Sequence, residues 1–280
     1  MAIKLKLPDR LFRWRKGVTI PALRLSGVIG SLPLRGAGLT LSSLDKQIEA
    51  LFADKNAPAA VLLLNSPGGS PVQSSLIAQR VRALSAEKKR PVIAFVEDVA
   101  ASGGYWLACA ADEIYADAAS IVGSIGVVSA GFGFQNALAR LGIERRLHTT
   151  GEHKGLLDPF RPEKPGDLEI LKQLQDDIVQ GFIGWVRSRR GERLKEGGEA
   201  LFDGRIWSGE RAVALGLVDG LAEPHAFIRA RYGEEARLRV IEPRRGWLAR
   251  RLRFGSMAGE VMAQALAQVE ERAAFARFGL

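Results

Sequence analysis

Cysteine is nearly missing from this chain, histidine is scarce, and no apolar run is long enough to span a bilayer. The single cysteine, Cys109, excludes an intrachain disulfide and any cysteine-based metal cluster. In its alanine-rich setting it is expected to be a small buried hydrophobe. Only His148, His153 and His225 could supply an imidazole. The opening MAIKLKLPDR has no extended apolar core, so no secretory leader is read there. The longest run free of charged and amide side chains, Ala118 to Phe134, has 17 residues with four glycines and three serines. That falls short of the ~20 apolar residues of a spanning helix, and the run is expected to be buried, glycine-rich core. Together these absences lead to the expectation of a cytoplasmic chain, peripheral on an inner membrane at most.

What the chain does have is charge at its ends. The net charge is +9, but residues 1–16 carry +5 and residues 229–253 carry +6, which leaves the body at −2. The basic ends are interleaved with Leu, Phe and Trp. They suit an anionic membrane surface at least as well as nucleic acid, and solvated tails are the plain alternative. No nucleic-acid partner is expected. Apolar content of 47% and charged content of 25% are those of a folded protein and exclude wholesale disorder.

Two stretches share one pattern. AAVLLLNSPGG (59–69) and RPVIAFVEDVAASGG (90–104) each run through continuous apolar residues into a glycine-rich turn. Such runs fit strands covered on both faces, as in parallel sheets. Between them, Leu76, Ile77, Val81 and Leu84 recur at helical spacing within 70–89, which completes a strand–helix–strand unit. FQNALARLG (134–142) predicts a helix ended by Gly142, followed by a strand in IERRLHT. Residues 167–190 predict the longest helix, with Leu171, Leu174, Ile178, Phe182 and Trp185 on one stripe. Ser208 should cap a short helix that Gly216 ends. The division expected is a basic amphipathic arm (1–17), one α/β domain (18–232) and a basic, helical tail (233–280) containing an amphipathic packing or assembly segment.

In open α/β sheets, ligands gather beyond the carboxyl ends of the strands, where both glycine-rich turns should lie. Gly68 and Gly69 can present bare backbone N–H groups, Gly103 or the amide of Ser102 can do likewise, and two such amides about 3 Å from a developing oxyanion stabilise acyl transfer. Ser102 stands among Ala100, Ala101, Gly103 and Gly104, a setting that admits a substrate backbone; alternatively it merely caps the helix that follows. A nucleophilic serine needs a base. Serine–lysine pairs are a recognised variant, and a lysine can serve only when neutral, a form favoured by burial in an apolar pocket. Lys154 in GEHKGLLDPF borders apolar residues, but by itself, as one of 40 basic residues, it reads more readily as a solvated surface charge.

NSPGG, AASGGYW, GSIGV and GEHKG, in that order and followed by GRIWSGERAVALGLVD, resemble the signal peptide peptidase A family over about residues 58–220. These are Ser–Lys serine peptidases of the ClpP/crotonase superfamily. The resemblance implies an α/β fold with a repeated β-β-α core and a mostly parallel sheet flanked by helices. It implies Ser102 as nucleophile, Lys154 as general base, and Gly68, Gly69 and Gly103 as the oxyanion region. Ser124 falls where the family orients the lysine amine, with a Gly-Ser turn in the core as the rival reading. ClpP-type members place their histidine where this chain has Val127, which favours the dyad over a triad. His153, beside Lys154, is taken as structural. Family members commonly carry a membrane anchor and assemble into rings whose neighbouring subunits contribute to each site. One copy of the motifs is present here, so a homo-oligomeric ring is expected.

The reaction so implied is serine endopeptidase cleavage of hydrophobic peptides, such as remnant signal peptides or membrane-protein segments, through an acyl-enzyme and without metal or organic cofactor. Partners would be a peptide or unfolded protein and an anionic membrane surface. A crotonase-like acyl-CoA enzyme and a catalytically idle membrane-surface scaffold are the alternatives.

Overall fold

The computed structural model describes residues 17–31, 38–195, 201–241 and 274–280. Residues 1–16 of the expected arm, and most of the tail with its amphipathic segment, lie outside these. A single sheet organises the rest. In chain order its strands are β1 (Thr19–Ser26), β2 (Ala60–Ser66), β3 (Val92–Ala101), β4 (Glu113–Ala116), β5 (Ile121–Gly123), β6 (Ile206–Ser208), β7 (Gly220–Leu221) and β8 (Arg237–Val240). Their order is β6-β5-β3-β2-β1-β8, with β4 joining β3 to β7. All pairs are parallel except β5 with β6. The mostly parallel α/β fold expected from the continuous apolar runs is therefore the fold observed.

Alternation along β2 and β3 splits their side chains between two cores. Leu62, Leu64, Ala94 and Val96 face a large cluster. Val61, Leu63, Ile93 and Phe95 face a smaller one. The helices are α1 (Leu41–Leu51), α2 (Pro71–Lys88), α3 (Gly103–Ala108), α4 (Gln135–Arg140), α5 (Pro165–Arg190), α6 (Gly209–Leu215) and α7 (Pro224–Tyr232). Ile48, Ile77, Val81 and Phe182 of α1, α2 and α5 cover the large face, and Ile228 of α7 covers the other. Helix α2 starts where its sequence requires: Ser70 accepts the Gln73 N–H at 3.3 Å, with Pro71 in the first turn. Ser208 caps α6, and Gly216 ends it in the left-handed conformation.

β3 forks. Its first half pairs with β4, and its end (Val99–Ala101) pairs with β5. This places the carboxyl end of β3 between two sheet branches, with α3 starting immediately beyond. Behind α3, buried Arg190 of α5 pairs with Asp219 at 2.8 Å, and Asp219 also accepts the Ile114 N–H at 2.7 Å.

Three expectations are corrected. The sheet continues beyond the expected boundary at 232, because β8 pairs along β1. IERRLHT is not a strand: it pairs with no strand among the described residues, and its residues are largely exposed. In the run 118–134 only Ser120, Val122, Gly123 and Ile125 are buried, while Ala118, Ala119 and Val128 to Phe134 are exposed.

Candidate active site

The site grows from the end of β3. Ser102 N–H donates to the Gly123 carbonyl of β5 at 2.8 Å, and the Ser102 carbonyl accepts the N–H groups of Tyr105 and Trp106. Those bonds hold the Ser102 backbone at φ +52° and ψ −122°. A side chain is rarely found there, and such strain costs of order 1–3 kcal/mol unless the surroundings over-determine it. The hydroxyl makes no capping hydrogen bond to α3. The reading of Ser102 as a simple helix cap is thereby excluded. A strained strand-to-helix turn that lifts a serine hydroxyl clear of the backbone is also the geometry of a nucleophile elbow.

The β2–α2 turn backs onto this serine. Gly68 has φ +103°, and a Cβ there would lie 2.8 Å from the Ala101 carbonyl oxygen and 2.8 Å from Ser102 Cβ. Only glycine fits. Its N–H donates to buried Ser66 Oγ at 3.2 Å, and that hydroxyl donates to the Gly27 carbonyl at 2.7 Å. The amide of Gly68 is thus committed to the scaffold. The N–H groups of Gly69 and Gly103 take no partner among the described residues. The two lie together, since a Cβ on Gly103 would come within 3.4 Å of the Gly69 nitrogen. Gly103 is hemmed in equally tightly, with Ser74 Oγ 2.4 Å from that Cβ position.

Ser124 follows the carbonyl that holds Ser102. It is half-buried, has φ +53°, and donates its N–H to the Arg205 carbonyl at 2.7 Å. Ser102 and Ser124 therefore follow the ends of the neighbouring strands β3 and β5, both at positive φ.

An apolar cleft opens beside Ser102, Gly69 and Gly103, walled by Trp106, Val127, Ile178 and Phe182. Its free volume is about 10 Å³, room for a single water. Phe182 stacks on Trp106 with ring centroids 4.7 Å apart. Val127 is one of the walls. The larger groove, about 450 Å³ between α7 and β8, contains none of these residues.

Lys154 is elsewhere. It sits in an exposed turn, its N–H donating to the Gly151 carbonyl at 3.3 Å. Its amine makes no hydrogen bond or ion pair among the described residues, and it does not line the cleft. The protomer brings together Ser102, Gly68, Gly69, Gly103 and Ser124, and leaves Lys154 outside. His148, His153 and His225 are exposed. Buried Cys109 has its thiol pushed up to about 12, mainly by burial, so it stays protonated. The sequence reading missed the cleft walls, although Ile178 and Phe182 already stood on the predicted stripe of α5.

Comparison with known proteins gives the chain's family. The model of peptidase family S49 matches residues 85–232. A Brucella melitensis protein named Na(+)/H(+) antiporter NhaA is 48% identical over 273 residues, which cover 93% of this chain and 37% of that protein. Among the described residues no helix is long and apolar enough to cross a membrane. The chloroplastic serine protease SPPA of Arabidopsis thaliana is 32% identical over 222 residues, covering 75% of this chain and 32% of that protein. The chain thus spans about a third of the length of these relatives. A solved structure of the membrane-bound stomatin-specific protease 1510-N, a lysine-to-alanine mutant in complex with a substrate peptide, superposes with a TM-score of 0.53. It is 17% identical, and the match covers 85% of this chain and 96% of that one.

Proposed function

The chain belongs to peptidase family S49, and from that premise we propose that it is a serine endopeptidase with Ser102 as nucleophile and Lys154 as general base. The single observation that carries this reading is the turn at Ser102. The backbone is held in a strained conformation, the hydroxyl is released from capping, and two unpartnered amides stand beside it. In the proposed reaction Ser102 Oγ attacks the scissile carbonyl carbon while neutral Lys154 Nζ takes the hydroxyl proton. The carbonyl oxygen becomes an oxyanion held by the N–H groups of Gly69 and Gly103, each worth about 3–4 kcal/mol at the transition state. Gly68, its amide already bound to Ser66, serves as the close-packed turn behind them. Collapse of the intermediate expels the amine, which takes the proton back from Lys154, and water then hydrolyses the acyl-enzyme. Ser124 orients the lysine amine.

The cleft supports a substrate class. Walls of Trp106, Val127, Ile178 and Phe182 around about 10 Å³ accept a small apolar side chain and refuse a large one. Hydrophobic peptides with small residues at the cleaved bond, as in remnant signal peptides and membrane-protein segments, fit that shape.

Lys154 reaches the nucleophile through assembly. The stretch that carries it also exposes Val128, Phe132, Phe134, Leu141 and Ile143, and Phe134 lies between the Phe132 and Phe160 rings at 6.2 and 5.6 Å. An apolar surface of this extent marks a protein interface. A second copy of the chain, arranged head to tail in a ring, would cover it and bring Lys154 of one protomer to Ser102 of the next.

The test is labelling by a fluorophosphonate. Wild type should react, and Ser102→Ala and Lys154→Ala should each be silent. Mixing the two variants under conditions of subunit exchange should restore about a quarter of the sites, those pairing an intact serine with a neighbour's intact lysine. Undiminished labelling of Ser102→Ala rejects the nucleophile. Silence of the mixture, with exchange verified, rejects the shared site.

A further inference from the structure

Helix α3 has only six residues, Gly103–Ala108, so any displacement of its far end reaches Ser102 undamped. The last carbonyls of a helix have no partner within it, and here those of α3 and the turn beyond it are taken by side chains of other elements. Trp185 Nε1 donates to the Trp106 carbonyl at 3.0 Å. Arg189 donates through Nε to the Cys109 carbonyl at 2.9 Å and through Nη2 to the Ala111 carbonyl at 3.0 Å. The same Nη2 meets the Asp112 carboxylate at 3.0 Å. Arg82 of α2 reaches the Ala110 carbonyl and Asp112 from the opposite side, at 3.3 and 2.8 Å.

Ile178, Phe182, Trp185 and Arg189 follow one another at spacings of four, three and four, which puts them on a single face of α5. The first two wall the cleft, Phe182 stacks on Trp106 of α3, and the last two grip the end of α3. One helix face therefore shapes the substrate cleft and fixes the segment that presents the serine. Simple capping would not require a guanidinium spread over two carbonyls and a carboxylate. A strained turn persists only where its surroundings over-determine it, and this grip is such a surrounding.

We infer that Arg189, aided by Trp185, is a positioning residue: it holds α3 so that Ser102 Oγ and the Gly103 amide keep the alignment that attack on a carbonyl demands. The inference rests on Ser102 being the nucleophile. Misplacement of a reacting group by about 1 Å can cost about 100-fold. Arg189→Met keeps the alkyl stem and removes every donor. It should lower kcat on a fluorogenic peptide, and the rate of fluorophosphonate labelling, by about 10- to 100-fold, with KM changed by less than about threefold. Arg189→Lys should recover part of that loss, because an ammonium can still bond one carbonyl. Trp185→Phe, which deletes only the indole N–H, should give a smaller fall in kcat with KM unchanged.

A folded Arg189→Met protein that labels at the wild-type rate overturns the inference, as does an Arg189→Lys protein no better than Arg189→Met. Should Arg189→Met fail to fold, wild-type kcat in Trp185→Phe overturns it equally. Equal labelling of wild type and Ser102→Ala instead rejects the nucleophile itself, a result separable from either.

Discussion

Two glycine-rich turns look alike in the sequence, and the structure distinguishes their residues by where each amide points. NSPGG and AASGG offered Gly68, Gly69 and Gly103 as equal donors, but buried Ser66 claims the first. No local pattern could have shown this, since Ser66 acquires its partner Gly27 from the turn after β1, 39 residues away. The capping reading of Ser102 was open for the same reason: a serine before a helix is the ordinary cap, and the missing capping hydrogen bond together with a φ of +52° speaks against it. That angle gives a test independent of activity. Glycine tolerates the conformation at Ser102 and alanine does not, so Ser102→Gly should be more stable than Ser102→Ala by about 1 kcal/mol, as thermal melting will show. Both should be silent to fluorophosphonate. Cys109 supplies a second residue-scale expectation. Its thiol is wholly buried and pushed up to about 12, so iodoacetamide should modify it only after denaturation, because the thiolate is the reactive form.

At the scale of elements, what the sequence made legible was whatever buries itself within one protomer. β2, β3 and α2 were readable because Val61 to Leu64, Ile93 to Val96 and Ile77 with Val81 all find partners inside the fold. IERRLHT was misread because alternation predicts a strand only where another strand stands ready to pair. The long stripe of α5 was visible, yet its two functions were not, since they depend on what α3 places opposite it. Removing the Phe182 side chain should widen the cleft. In Phe182→Ala, kcat/KM for peptides with leucine at the cleaved bond should rise relative to alanine, by about 10-fold or more, with a lowered melting temperature from the lost packing. The junction of α3 and α5 also carries a pH dependence. Burial raises the Asp112 carboxyl, but the Val92 N–H, Arg82 and Arg189 outweigh it and hold it below the ordinary range. A carboxyl lowered in the fold contributes stability above its unfolded value, lost as pH falls through the folded one. Melting temperature should therefore decline below about pH 4, and the curves of wild type and Asp112→Asn should converge in that range.

For the whole molecule, the lesson lies in the run 118–134, whose apolar character led to an expectation of core. Apolar composition reports that a segment will be covered, without saying by which chain. Its first half is covered by this protomer, through Val122 and Ile125. Its second half, with Phe132 81% exposed, is covered by nothing among the described residues, which is why the proposed ring supplies the missing surface. The consequence is sharp because exposure and interface separate two energies. A side chain as exposed as Phe132 contributes little to the protomer, and its replacement should change protomer stability by less than about 0.5 kcal/mol. The same replacement at an interface would bury a charge against an apolar partner, which costs far more. Phe132→Asp should thus leave circular dichroism and thermal melting of the protomer nearly unchanged while reducing the mass measured by sedimentation to that of one chain. If Lys154 comes from the neighbour, the same variant should lose fluorophosphonate labelling although neither Ser102 nor Lys154 has been touched. A Phe132→Asp protein that sediments as a single chain and still labels at the wild-type rate would show that each protomer carries its own base, and the shared site would have to be abandoned.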